Sequence, residues 1–241
     1  MKLSERLGTI ARFVEKGADV ADIGTDHGYL PVYLAQNGLA RRIIASDISA
    51  EALKAALRSA VKYGVDSKIT FVAAPGLTGV GELEADTIIL AGMGGETIAN
   101  ILASAPWTKR LGIRIILQPQ TKTEKLCRWL RDNGYVIQDA ELARDKGRFY
   151  VVILAGASGP GPAEPEMRNA ESGNLGAVDD SQRATSVPYS DCHIPNSTDP
   201  AMKLLSVLAG KNDPRFPEYF GELMAKKRRA AEGMAKSTAA G

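Results

Sequence analysis

Cysteine is scarce, with two residues, Cys127 and Cys192, in 241. They offer neither a metal-ligand spacing nor a disulfide framework, so a stapled extracellular module is excluded and a reducing, cytoplasmic setting is expected. Long apolar runs are also missing. No stretch approaches the roughly 20 residues that cross a bilayer. The opening "MKLSERLGTIARFVEKG" is interrupted by charge, which argues against a signal peptide. No membrane association and no obligatory protein partner are expected. Nor does charge of one sign dominate: 30 Lys and Arg stand against 28 Asp and Glu, a formal +2. The total therefore neither demands nor excludes a nucleic-acid partner, but its distribution is uneven. From Pro200 onward eight basic residues face four acidic ones. The remaining composition is that of an ordinary globular chain, long enough to bury about 70% of its unfolded surface.

Short apolar runs alternate with amphipathic ones. Leu3, Leu7, Ile10, Ala11 and Val14 recur at helical spacing over residues 3 to 16, with Ser4 as a cap. "DVADIG" reads as a strand, and a short helix follows from about Tyr29 to Asn37, stopped by Gly38. "RRIIASDIS" is a second strand ending at Asp47, and Ser49 caps a helix closed by Gly64. "KITFVAA", "DTIILAG" and "IRIILQPQ" continue as strands, with helices at "GETIANILASA" and from Thr123 to Asp132. "YVIQDAELA" and "RFYVVILAG" close the series as an antiparallel pair around "RDKG". The pattern predicts a doubly wound α/β domain of about seven strands over residues 1–156. Residues 157–199 are rich in Pro, Gly, Ser, Asn and Asp and read as a linker or surface insertion, with an ordering lid as the alternative. In 200–241, "PAMKLLSVLAG" and "PEYFGELMAKKRRAAEGMAKS" predict two short helices, the second strongly charged. Neither can form a core alone.

In an open α/β sheet, ligands bind beyond the carboxyl ends of the strands. Four loops are expected there: "DIGTDHGYLP", "ASDIS", "AGMGGET" and "LQPQT". Gly24 and Gly28 allow close backbone approach to a ligand. Asp47, 25 residues after Asp22 and at a strand end, suits the hydroxyls of a ribose. The cofactor is narrowed by charge. A dinucleotide would set its pyrophosphate against Asp26, at about 1 kcal/mol or more per close like-charge contact. S-adenosylmethionine instead offers a sulfonium and an ammonium, which acidic groups attract.

The segments "LSERLGTIARFVEKGADVADIGTDHGYLPVYLAQNG", "TIILAGMGGETI", "IILQPQT" and "CRWLRDNGYVIQDAELARDKGRFYVVI" together resemble the bacterial tRNA (adenine(22)-N1)-methyltransferase family, nearly continuously over residues 3 to 155. The resemblance implies a Rossmann-like class I methyltransferase fold with a small helical C-terminal part. It also implies S-adenosylmethionine as donor, no metal, and N1 of a tRNA adenine as acceptor. Asp22, Gly24, Gly28, Asp47, Ile48, Gly76, Gly92, Met93 and Gly94 are then the cofactor candidates. Asp26, His27 and Tyr29 are the catalytic ones, and Gln118, Pro119, Lys226, Lys227, Arg228 and Arg229 are the RNA contacts. Adenine N1 already carries a lone pair and needs no base. Methylation makes the ring cationic, so a carboxylate such as Asp26 would stabilise the developing charge. N1 lies on the pairing edge, so the base must be unpaired to react. Two positions depart from the family: Pro75 stands where an aspartate usually holds the cofactor's adenine amino group, and Gln120 stands where asparagine is usual.

Plainer roles stand beside these. Asp22 could cap its own loop, His27 could be an ordinary loop histidine, and Tyr29 could belong to the core. Gly92, Gly94 and Gly95 could merely turn a strand into a helix, and Lys226 to Arg229 could be a solvated helix face. Two rival functions remain open at this level: a methyltransferase for a small molecule or protein, and a binding protein that keeps the fold without the reaction.

Overall fold

The computed structural model describes residues 1–82, 84–158 and 199–238. The chain runs α1 (Glu5–Arg12), β1 (Ala18–Ile23), α2 (Tyr29–Gln36), β2 (Ala40–Asp47), α3 (Ala50–Lys62), β3 (Thr70–Ala73), β4 (Thr87–Gly94) and α4 (Gly95–Ala103). It continues through β5 (Arg114–Thr121), α5 (Thr123–Asp132), β6 (Tyr135–Asp145), β7 (Arg148–Ala157), α6 (Pro200–Gly210) and α7 (Phe216–Thr238). Seven strands form one sheet in the order β3-β2-β1-β4-β5-β7-β6. β3 to β5 are joined in parallel, and β7 is antiparallel to both β5 and β6. This is the Rossmann-like sheet expected from the alternating pattern.

Strand alternation divides the core. Ile88, Leu90, Ile115 and Leu117 face the cluster under α4, α5 and α6, while Ile89 and Ile116 face that under α1, α2 and α3. Each is fully buried, because a central parallel strand has helices on both faces. Side-chain caps set several helix starts: Ser4 Oγ accepts from the Leu7 N–H, and Ser49 Oγ accepts from the Ala52 N–H. Asp199 Oδ1 does the same for Ala201, with Pro200 in the first helical turn.

Three expectations are revised. The first helix ends at Arg12 rather than residue 16, since Phe13 and Val14 leave the helix to enter the core below α2. The second C-terminal helix is not short but spans 23 residues; its Ala-, Glu- and Lys-rich sequence favours continuation. Nor are the two helices alike. α6 lays Leu204, Leu205 and Leu208 into the same core as the sheet, and Phe216 at the start of α7 follows them. Beyond Leu223 the residues of α7 through Glu232 are exposed. The expected linker or lid lies outside the described residues except at its ends. Among the described residues no helix is long and apolar enough to cross a membrane.

Candidate active site

The sheet reverses its winding between β1 and β4, where a crevice opens beyond the carboxyl ends of the strands. A cleft of about 330 Å³ lies there, walled by the β1–α2 loop, the end of β4, Gln120 of β5 and Arg6 of α1. It brings together Asp22, Gly24, Asp26, His27, Tyr29 and Gly92, drawn from two of the four expected loops.

The β1–α2 loop is tied to the end of β2 by its backbone. The N–H groups of Gly24 and Thr25 both donate to the Ser46 carbonyl, at 2.8 and 3.0 Å. Asp47 locks the same junction: its Oδ2 accepts from the Asp26 N–H at 3.1 Å and its Oδ1 from the Ser49 N–H at 2.9 Å. A carboxylate has about four acceptor positions, so two remain for a ligand. Asp26 takes a left-handed backbone, φ 51°, which turns its side chain out of the loop. That conformation is uncommon outside glycine but is the one aspartate tolerates best. The Asp26 side chain is 74% exposed, and its Oδ2 lies 2.9 Å from His27 Nδ1. The His27 ring stacks on Tyr29 with centroids 5.5 Å apart. Tyr29 is 47% exposed, so it belongs to the cleft and not to the core.

Asp22 is the buried acid of the cleft. Its Oδ2 accepts the Thr25 hydroxyl at 2.8 Å, so the loop role considered for it is met by a side chain. Burial raises its carboxyl to about 6, the Thr25 bond opposes the rise, and the nearby Asp47 charge adds to it.

The glycines prove to have different reasons. A side chain on Gly24 would collide with Met93, and one on Gly28 with Ala56 of α3, so both serve internal packing at left-handed φ. A Cβ on Gly92 would instead point into the cleft, with Arg6 and Gln120 no nearer than 3.8 Å. Gly94 sits against Thr121, and Gly76 against Ile101. Ile48 is 77% exposed beside Asp47, an uncovered apolar side chain at the rim. Pro75 is exposed, and its carbonyl receives the Thr78 N–H and hydroxyl.

Arg6 was missed by the sequence reading. Its Nη1 donates to Gln118 Oε1 at 2.9 Å, and its guanidinium lies 5.7 Å from the Tyr150 ring. Gln118, considered as an RNA contact, is fully buried and also donates to the Pro119 carbonyl. It therefore holds Arg6 in position, and burial keeps it from direct contact with a macromolecule. The available signal was faint: Arg6 lies beside Leu7 and Ile10 of α1, at the edge of the apolar stripe.

The four basic residues of α7 do not act as a block. Lys227 pairs with Glu124 of α5 at 2.8 Å, whereas Lys226 turns toward Pro119 and the β6–β7 hairpin. Cys127 is buried, its thiol raised to about 12, chiefly by desolvation, so it is no nucleophile.

Comparison with known proteins bears on the fold and the family. A family model described as "Methyltransferase domain" matches residues 3–153. The tRNA (adenine(22)-N(1))-methyltransferase of Bacillus subtilis strain 168 is 38% identical over 157 residues, 65% of this chain and 66% of that protein. The chain thus spans just under two thirds of that relative's length. Among solved structures, Streptococcus pneumoniae Sp1610 in complex with S-adenosyl-L-methionine has a TM-score of 0.62 at 31% identity, covering 68% of this chain and 77% of that one. A Streptococcus agalactiae protein of the NADB-Rossmann superfamily covers 97% of this chain and 88% of its own at a TM-score of 0.69 and 26% identity. The chain belongs to the methyltransferase-domain family, and its sequence sets it beside the tRNA (adenine(22)-N(1))-methyltransferases.

Proposed function

We propose that this chain transfers a methyl group from S-adenosylmethionine to N1 of an adenine in tRNA, at position 22, in the cytoplasm. The observation that carries the reading is the charge pattern of the cleft, where two carboxylates and one guanidinium line the glycine loop. That set complements a ligand with a sulfonium, an ammonium and a single carboxylate, and it would repel a pyrophosphate. The family relation supplies the acceptor.

Asp22 faces the ammonium, and Arg6, braced by Gln118, faces the carboxylate. Asp47 takes the ribose hydroxyls with its remaining lone pairs, and Ile48 covers an apolar ring face. Pro75 offers no donor to an adenine, so the polar contacts of that ring fall to backbone groups. When bound, the cofactor supplies an electrophilic methyl group. The protein's part is to seat an unpaired adenine between His27, Tyr29 and the Gly92–Met93 turn with N1 directed at that methyl. Asp26 then meets the positive charge that methylation leaves on the base. No group is required to remove a proton beforehand.

The test is transfer of labelled methyl to an unmodified bacterial tRNA transcript, with the product located by mass spectrometry. We expect 1-methyladenosine at position 22. A transcript left unmethylated by a chain that binds S-adenosylmethionine would move the acceptor to a small molecule or protein. The exposed Pro75 favours one further reading, a fold retained without the reaction. Calorimetry with no binding at millimolar cofactor would support it.

A further inference from the structure

A second cavity, about 360 Å³, opens beside the cleft and shares Gln120 with it. Its walls are the end of β5, the β6–β7 hairpin and the middle of α7. Tyr150, which carries the Arg6 guanidinium on its ring, lines this groove, so Arg6 and Gln120 form the partition between the two spaces.

The groove's charges are distinctive. Most cations near α7 are already paired with acids: Arg144 with Glu218 at 2.8 Å, Lys211 with Asp139 at 2.6 Å and Lys227 with Glu124 at 2.8 Å. Arg148 and Lys226 both line the groove, and among the described residues neither has a carboxylate within ion-pair distance. They approach it from opposite sides, Arg148 from the hairpin and Lys226 from α7. The one acid on the lining is Glu222. Phe149, Tyr150 and Tyr219 supply half-buried aromatic surface between them, with Phe149 meeting Tyr219 edge-on at 5.8 Å. Two uncompensated cations sharing a groove with aromatic rings are the pairing that holds a single-stranded nucleic acid, phosphate on the cations and base on the rings. The two cations without a carboxylate partner favour a polyanionic strand over a protein surface.

We propose that this groove holds the unpaired RNA nucleotide next to the reacting adenine, its phosphodiester between Arg148 and Lys226 and its base against Tyr150 and Tyr219. The assignment rests on the tRNA reading above and adds to it a requirement for two adjacent unpaired residues. The partition at Arg6 and Gln120 divides the target base from its neighbour, so the strand must turn as it passes from groove to cleft.

The test measures affinity of the full chain for a tRNA transcript over a series of salt concentrations. Arg148→Ala with Lys226→Ala should weaken binding about tenfold and reduce the salt slope by about 0.7 to 0.9, as expected when one phosphate is no longer neutralised. Glu222→Gln should tighten binding about twofold, a change that a purely structural role for the groove would not produce. S-adenosylmethionine affinity, measured alongside, should stay at the wild-type value in both variants. A 4-thiouridine placed beside the target adenine should cross-link within residues 147–151 or 219–226, the two walls of the groove. Equal tRNA affinity in the wild type and the double variant, at whatever level, overturns the groove; so does a cross-link confined to other segments. Methylation by the wild-type chain is scored separately: its absence removes the functional reading, while the groove stands or falls on the affinity ratio.

Discussion

The two cavities at the carboxyl edge of the sheet share one glutamine and differ in sign. The cleft gathers Asp22 and Asp26 against a single Arg6; the groove gathers Arg148 and Lys226 against a single Glu222. Net chain charge is only +2 and reveals neither. On the proposed reading, the difference teaches how a cationic donor and a polyanionic acceptor can have their fields kept apart within one face. Its acids lie on the loop of β1, near the sheet's centre. The cations lie on the outer hairpin and on a helix that leaves the core. Each ligand is then drawn to its own side, and a misplaced polyanion meets carboxylates.

The comparison can be broken on its acidic side first. Asp26→Asn preserves shape and removes charge; we expect kcat to fall about 10²-fold with cofactor affinity nearly unchanged, the pattern of a group that acts on the transition state. Methylation at the wild-type rate would remove Asp26 from the chemistry. Arg6→Ala tests the lone cation of the cleft. S-adenosylmethionine should bind about tenfold more weakly, in line with about 1.5 kcal/mol for a charge-assisted hydrogen bond. Gln118→Leu should reproduce part of that loss without touching the ligand, and calorimetry measures both. An unchanged Kd in the arginine variant would remove Arg6 from the proposed binding of the donor's carboxylate.

The remaining prediction concerns stability and is the one most dependent on pH. Asp22 has an ordinary value of 3.8 that burial raises to about 6 in the fold. The fold therefore favours the protonated form: the group's stabilising contribution is full below 3.8 and lost as pH rises through about 6. Above that, ionised Asp22 costs the apo-protein about 3 kcal/mol. Asp22→Asn can still accept the Thr25 hydroxyl, so the variant should melt higher by about 5 °C at pH 8, with the gain disappearing near pH 4. Its affinity for the cationic donor should fall, and the wild type should show the same fall on acidification below about pH 6. A variant that melts lower at pH 8 would show that the carboxylate is not strained by burial.

Local structure was legible because it depends on neighbours in the chain. Ser4 and Ser49 cap the helices their sequences announce, and the hairpin turns at Lys146–Gly147, both with positive φ, inside the "RDKG" that marked it. The β1–α2 loop was legible as the wall of a cleft, yet the reason for its glycines was not. Gly28 is demanded by Ala56, whose approach no spacing within the loop could disclose, and Gly24 by its left-handed φ of 74°. The two C-terminal helices looked like one basic unit, but the apolar face of α6 is claimed by the sheet. "KKRR" read as a single patch, and a helical turn of about 100° per residue aims Lys226 and Lys227 at different neighbours.

By itself the sequence determined the alternation of buried strands with covering helices, the loops at the strand ends and the presence of acids on one of them. Those are consequences of periodicity and turn chemistry, which act over a few residues. Only the tertiary structure decided that Arg6 would meet Gln118, 112 residues away, and that Arg148 and Lys226 would flank one groove. The sheet order β3-β2-β1-β4-β5-β7-β6 is not the order of the chain. Which polar groups become neighbours therefore depends on how strands pair across the sheet, a choice made by burial of whole faces rather than by any local signal.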